Sequence, residues 1–289
     1  MKTSLLLSGI PKIRSFIYIL AAFLTAAGAA IAPAEAGPAT PAAISRAMEQ
    51  PALAGDASLG SLFPDELEII SKSGGNLDQK ARLKLAAVRR DHAKALFRFH
   101  RSRQREDALE LALRYANSAR ELDPSDPQGH LLAGIIYSEM GEYLFAGIKA
   151  VQSFERAVTL APGVPSTRIL LAFAYLKEND RDDALEQFEE ALRLDSSLVS
   201  PRIVGPMNLC YIALGKTHIG EDFYRQLLAK RPETPYLALS RAVLLKHDRR
   251  LDEARGELNR VIGWRHASGE DKRYARELLR KIVEMEGGR

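Results

Sequence analysis

Small residues and large apolar residues recur at matching positions in four consecutive segments of the chain. Numbered from Pro165, one segment has alanine at positions 8, 20 and 27 and an aromatic residue at positions 11 and 24. A similar pattern follows Pro127, Pro201 and Pro235, so the segments start 38, 36 and 34 residues apart. Within each segment the apolar residues follow helical spacing on both sides of a polar turn. One such helix pair cannot bury its apolar face alone, so the pattern predicts stacked pairs.

The spacing has a physical reason in helix packing. The distance between two packed helices depends on the side chains at the crossing, so small residues at positions 8, 20 and 27 allow close approach. Aromatic residues at positions 11 and 24 then fill the volume between successive pairs. In the first segment the second half arrives four residues late, as if the turn at 141–148 carried an insertion.

The period and the position of these residues resemble the tetratricopeptide repeat family over roughly residues 106–262. The resemblance implies an all-α, right-handed superhelical solenoid of helix–turn–helix units with a concave inner face. Four units are expected over 127–264, starting at 127, 165, 201 and 235. A basic helical pair at 78–126 is expected as a degenerate repeat or cap, and a capping helix at 268–286, which opens with Ser268 and Asp271.

The N-terminus has the pattern of a secretory signal peptide. Lys2, Lys12 and Arg14 precede an apolar stretch at 16–32, and Ala34-Glu35-Ala36 provides a small-x-small cleavage site. We therefore expect 1–36 to be removed and the protein to be exported, to the periplasm or the cell envelope. An uncleaved membrane anchor is the alternative. Residues 37–77, rich in Ala, Pro and Gly, are expected to be a flexible linker with one short helix around 64–70.

The charge of the chain argues against a general nucleic-acid binder. Removing a leader with three basic residues and one acidic residue lowers the net charge from +4 to +2. Residues 80–105 nevertheless hold ten Lys or Arg and one acid. This basic docking surface could bind an acidic protein, an anionic membrane surface or an acidic envelope polymer, or it could be a solubilising face of a cap. Its candidate residues are Arg89, Arg90, Lys94, Arg98, Arg101, Arg103 and Arg105.

The resemblance also implies a partner-binding groove, which the first helix of each unit lines at positions 2, 5, 9, 12 and 13. The centre of this surface is apolar here and lacks the Lys and Asn set with which some relatives clamp a carboxylate tail. It suits an amphipathic helix or an extended apolar segment of a protein partner. Burial by the linker or by a second copy is the alternative. The candidate residues are Leu131, Ile135, Ile169, Phe173, Lys177, Arg202, Leu209, Ile212, Tyr236, Leu239, Val243 and Lys246.

Two residues stand out within that groove. Phe173 matches no packing position of the repeat and is the first candidate for partner contact. Gly205 and Pro206 interrupt the first helix of the third unit, because proline does not continue a helix from the residues before it. We therefore expect this helix to begin near Pro206, with the preceding residues crossing the groove as extended chain.

Motifs for catalysis, metals or cofactors are absent from the sequence. The six histidines form no HExxH pairing, and no CxxC, phosphate-binding glycine loop or GxSxG motif occurs. The single cysteine, Cys210, allows no internal disulfide. The expected function is a non-enzymatic scaffold that needs no cofactor. The alternatives are a membrane-associated envelope assembly or secretion factor, held by the leader or by residues 82–105, and an accessory enzyme subunit.

Overall fold

The computed structural model describes residues 63–73, 76–141, 143 and 145–287. Within these ranges the chain forms twelve α-helices and one short 3-10 helix, Ser196–Leu198, and no strand. The all-α fold class is therefore confirmed. The chain divides into two compact units, one ending at Ala161 and the other beginning at Pro162.

The first unit contains two helix pairs and a short helix in front of them. Helix α1 packs on α2, α2 packs on α3 and α4, and α4 packs on α5. The bounds are Pro64–Lys72 for α1, Gln79–Arg103 for α2, Glu106–Leu122 for α3, Pro127–Glu139 for α4 and Ala146–Leu160 for α5.

The second unit contains three helix pairs and a final helix. Helices α6 and α7, α8 and α9, and α10 and α11 form the pairs, and α12 packs on both α10 and α11. The bounds are Pro165–Lys177 for α6, Arg181–Leu194 for α7, Pro201–Ala213 for α8, Thr217–Lys230 for α9, Pro235–His247 for α10, Leu251–Gly263 for α11 and Gly269–Gly287 for α12.

The four prolines that open the sequence segments lie in the first turns of α4, α6, α8 and α10. Proline is favoured there because its missing N–H has no partner within the helix and its fixed φ suits the first turn. At α4 the side chain of Asp126 also accepts a hydrogen bond from the Gln128 N–H at 2.9 Å. These residues explain why each first helix begins where it does.

The turn inside each pair of the second unit has one repeated geometry. Position 15 of the unit takes a left-handed backbone, at Asn179, Gly215 and Arg249. The N–H of the next residue then bonds back to the carbonyl at position 11, at 2.8 to 3.0 Å. This is the hydrogen bond that closes a helix end through a left-handed residue. Three successive pairs therefore share the same turn.

Small residues lie at the helix crossings. Ala172, Ala184 and Ala191 are fully buried. At Gly220 an added Cβ would lie 2.6 Å from the Tyr211 ring, closer than such atoms ever pack. The spacing of the repeat is thus a packing rule.

A short helix precedes the first helix pair. Residues 37–77 were expected to be a flexible linker with one short helix around 64–70, and α1 occupies Pro64–Lys72. Phe63 and Ile69 are buried, and Ile69 packs with Leu85 of α2. This apolar contact provides the stability that so short a helix lacks alone. The predicted leader, 1–36, and the linker up to residue 62 lie outside the described residues.

Candidate functional site

The first helices of the last two pairs and the final helix surround a cavity of about 340 Å³. Helices α8, α10 and α12 each contribute to its wall. The lining residues are Pro201, Val204, Gly205, Asn208, Tyr236, Leu239, Ser240, Val243, Glu270, Asp271 and Tyr274. Three of them, Tyr236, Leu239 and Val243, belong to the groove predicted from the sequence.

The structure corrects the prediction for α8. This helix begins at Pro201 and continues through Gly205 and Pro206, so no extended segment crosses the groove. Pro206 cannot donate a hydrogen bond to the Arg202 carbonyl. Arg202 is exposed, and the helix continues past Pro206 without this hydrogen bond.

Gly205 opens the wall of the cavity. An added Cβ there would meet no heavy atom within 4 Å, so packing does not require glycine at this position. Glycine inside a helix costs roughly 0.5–1 kcal/mol relative to alanine. The missing side chain therefore enlarges the cavity without any structural need in its surroundings.

The polar side chains of the cavity are held in place. Asn208 occupies the position where other units have a small residue, and its Oδ1 accepts a hydrogen bond from the Tyr224 hydroxyl at 2.9 Å. Ser240 is buried on the facing helix. Asp271 accepts bonds from the N–H and hydroxyl of Ser268 at 2.9 and 2.7 Å. Ser268 and Asp271 thus form the capping box expected at the start of the last helix.

Acidic side chains line the cavity, whereas basic side chains lie near the C-terminal end of α10. The cavity wall contains two carboxylates, Glu270 and Asp271, and no basic residue. Two lysines, Lys246 and Lys281, lie near the C-terminal end of α10, where burial and the charge of Lys281 lower the pKa of Lys246. Lys246 forms no ion pair with any described residue, whereas Lys281 pairs with Glu277 at 2.7 Å.

The predicted groove residues differ widely in exposure. Lys177, Arg202 and Leu209 are exposed, and Leu209 presents 60% of its surface to solvent. Four others are half-buried: Ile212, Tyr236, Val243 and Lys246. The remaining five are buried: Leu131, Ile135, Ile169, Phe173 and Leu239.

Phe173 is therefore not the exposed contact residue expected from the sequence. Its ring packs edge-on against Phe188 of the same helix pair, with 5.0 Å between centroids. Leu131 and Ile135 lie on α4, which contacts α2, α3 and α5 and so has little surface left open. The open part of the groove that the structure describes is on α8, α10 and α12.

The predicted basic docking surface is largely engaged in ion pairs. The Arg89 Nε donates to the Glu66 carboxylate at 3.1 Å, and Arg90 pairs with Asp126. Lys94 pairs with Asp91 at 3.2 Å. Salt bridges of this kind reduce the charge available to an external anion.

Fewer ion pairs form at the C-terminal end of the basic docking surface. Arg105 follows α2 and its Nε donates to Asp107 at 2.9 Å. Arg101 is half-exposed and interacts within the protein. Arg98 and Arg103 are exposed and have no ion-pair partner among the described residues. Of the seven candidate residues, Arg98 and Arg103 are thus exposed without an ion pair to a described residue, and the docking surface itself stays a prediction.

A buried polar cluster attaches α1 to the first unit. Glu66 is fully buried and its Oε1 lies 2.7 Å from Nδ1 of His92, whose Nε2 lies 3.1 Å from the Asp65 carboxylate. The ring of Phe63 stacks on His92 with 3.8 Å between centroids. Arg89 donates to both Glu66 and Ser118. Sequence reasoning missed this cluster because its partners lie more than twenty positions apart.

A second apolar surface lies at the turn between α4 and α5 and at the start of α5. Tyr143, Phe145 and Ile148 are exposed, and Phe145 has a left-handed backbone with φ 62°. These residues fall within 141–148, where the sequence indicates a four-residue insertion. The repeat pattern gave them no role because no other unit has them.

Other chemistry is limited in the described residues. No group of His, Cys, Asp or Glu in them is arranged to hold a metal ion. None of the helices in these ranges combines the length and apolar character needed to span a bilayer. Cys210 is buried, and burial raises the pKa of its thiol to about 11, which keeps the thiol protonated at neutral pH.

Comparison with known proteins adds a family match and several structural likenesses. No curated protein matches the chain in sequence. The chain is similar to MamA (16% identity, covering 69% of this chain and 94% of that one, TM-score 0.48). It is also similar to YrrB, described as a TPR protein with an unusual peptide-binding site. The identity is 16%, the match covers 73% of this chain and 97% of that one, and the TM-score is 0.48. A third likeness is to PilW, a widely conserved type IV pilus biogenesis factor. The identity is 18%, the match covers 68% of this chain and 86% of that one, and the TM-score is 0.42.

The family match falls on one helix pair. Residues 165–198 match the model of the tetratricopeptide repeat. They span α6, α7 and the following 3-10 helix. The pairs at α8–α9 and α10–α11 repeat the turn geometry of α6–α7. The chain thus carries a tetratricopeptide repeat at residues 165–198 within an all-α array of helix pairs.

Proposed function

We propose that the protein is a non-enzymatic interaction scaffold that holds a segment of a protein partner against α8, α10 and α12. The observation that carries this proposal is the exposure of apolar side chains along these helices. Leu209 and Tyr274 are 60% and 44% exposed, and Ile212 and Val243 are half-buried. Large apolar side chains grouped on one concave surface are typical of a binding site.

The helix positions support the same conclusion. Leu209 and Val243 occupy position 9 of successive units, and α8 contacts α10 directly. An amphipathic helix or an extended segment could bury both side chains at once.

The place of action is part of the proposal. The leader pattern at 1–36 supports export and a role in the periplasm or cell envelope. The rival role, attachment to an anionic membrane through residues 82–105, is disfavoured because Arg89, Arg90 and Lys94 are paired with acids. Neither role requires nucleic acid or a cofactor.

Site-specific photocrosslinking tests the groove. The photoreactive residue p-benzoylphenylalanine replaces Leu209 in one full-length variant and Ile219 of α9 in another, and both are irradiated in the cells that make the protein. Both side chains are exposed, at 60% and 42%, but only Leu209 lies on the proposed surface. We expect a protein adduct at Leu209 and none at Ile219. Equal adducts at both positions, or none at either, would contradict the proposal.

A further inference from the structure

We propose that the cavity beside Gly205 binds a basic side chain, lysine or arginine, of the partner segment. This rests on the proposed scaffold function and names the chemistry of its partner. The cavity of about 340 Å³ is large enough for one long side chain, and it opens on the same helices as the exposed Leu209.

The walls suit the stem of a basic side chain. Val204, Leu239 and Val243 supply aliphatic surface, and Tyr236 and Tyr274 supply two aromatic rings. Lysine and arginine bury their aliphatic stems against such surfaces while the charged end remains near polar groups. A guanidinium or ammonium is also attracted to the face of a tyrosine ring.

The charge of the cavity selects a cation. Its wall contains two carboxylic acid side chains, Glu270 and Asp271, and no Lys, Arg or His. The Asp271 carboxylate is already bonded to Ser268, whereas the side chain of Glu270, an exposed residue, has no ion pair or hydrogen bond with any described residue. An incoming cation could therefore pair with Glu270 without breaking an existing contact.

The opposite end of the groove repels the same cation. Lys246 has no ion-pair partner among the described residues and lies within electrostatic reach of Lys281. A basic side chain placed there would face Lys246, whereas the charge of Lys281 is offset by its pair with Glu277. The carboxylates of the cavity wall and the charge of Lys246 thus favour a basic residue in the cavity over one placed beside Lys246.

Gly205 is the residue that makes room for this side chain. Gly205 lines the cavity and an added Cβ would meet nothing within 4 Å, so a leucine side chain fits there and is expected to reduce the cavity volume. Gly256 of α11 offers a matched control, because it is also a helical glycine with open space and it lies outside the cavity.

The test uses the methyl NMR spectrum of the full-length chain. N-acetyl-L-argininamide is the probe, and N-acetyl-L-citrullinamide is its neutral analogue of nearly equal shape. We expect the arginine probe to shift the methyl signals of Val204, Leu239 and Val243 with an affinity at least about fivefold higher than that of citrulline. Gly205→Leu should abolish the shifts, Gly256→Leu should keep them, and Glu270→Gln should weaken binding.

Three results would overturn the inference. These are equal binding of the two probes, no shift with either probe, and unchanged shifts in Gly205→Leu. Tyr274→Ala provides a second variant on an exposed side chain, and Glu178→Gln removes an exposed acid outside the cavity as a charge control. If the probe fails while the Leu209 photocrosslink persists, the groove binds its partner without a basic anchor. Loss of both results would remove the scaffold proposal as well.

Discussion

Replacing Glu66 with alanine is expected to release α1 from the rest of the first unit. Glu66 is fully buried and accepts bonds from the partly buried Arg89 and the buried His92, so its removal leaves both groups without this acceptor. Breaking a buried ion pair from one side costs about 3–5 kcal/mol. Undocking of α1 returns these groups to water, so the loss should appear as local opening of α1.

Hydrogen exchange measures this opening directly. The amides of α1 should lose most of their protection in Glu66→Ala, while those of α4 and α5 change little. Glu68→Ala is the matched control, because Glu68 lies on the same helix but is exposed and pairs only with Lys72 of α1. In Glu68→Ala the protection of the α1 amides should stay near that of the parent. Equal exchange of α1 in Glu66→Ala and in the parent would show that the cluster does not attach this helix.

Gly220→Ala and Gly256→Ala are expected to change stability in opposite directions. Both glycines lie in helices of the second unit. A Cβ at Gly220 would meet Tyr211 at 2.6 Å and Leu244 at 2.7 Å, so overpacking should cost about 1–3 kcal/mol. A Cβ at Gly256 meets nothing within 4 Å, so alanine should add roughly 0.5–1 kcal/mol through its better helix propensity.

Denaturant unfolding of the two variants beside the parent measures the difference. Both variants make the same chemical change in a helix, so propensity alone predicts that both gain stability. The packing rule predicts that only Gly256→Ala gains. A stabilised Gly220→Ala would show that the small residue at position 20 is not a crossing point.

The sequence predicts the repeated architecture well because its signals are local. The prolines at Pro165, Pro201 and Pro235 mark first turns of helices, and the small residues mark crossings within one or two helices of each other. Ser268 likewise marks the start of the last helix, because its hydroxyl accepts a hydrogen bond from the N–H of Asp271, three residues away. Each feature can be recognised within a window of about one repeat.

The candidate site was predicted less completely because it depends on distant partners. Phe173 occupies a groove position of the repeat, yet its ring is buried against Phe188. Pro206 suggested a late start for α8, but the helix accommodates it. The position of Glu270 in the cavity wall was not predicted, because the sequence of the last helix indicates a cap and does not show that this helix also lines the cavity. The sequence shows the positive charge of residues 80–105, but it does not show that Glu66 and Asp126 form ion pairs with Arg89 and Arg90.

The affinity of the photocrosslinked partner segment tests the central claim most directly. Its dissociation constant is measured for the full-length parent, for Leu209→Asp and for Ile219→Asp. A buried apolar contact replaced by a carboxylate should weaken binding at least about tenfold in Leu209→Asp. Ile219→Asp should bind as the parent does, and neither melting temperature should change, because both side chains are exposed. Equal affinity for all three proteins would contradict a binding groove on α8, α10 and α12.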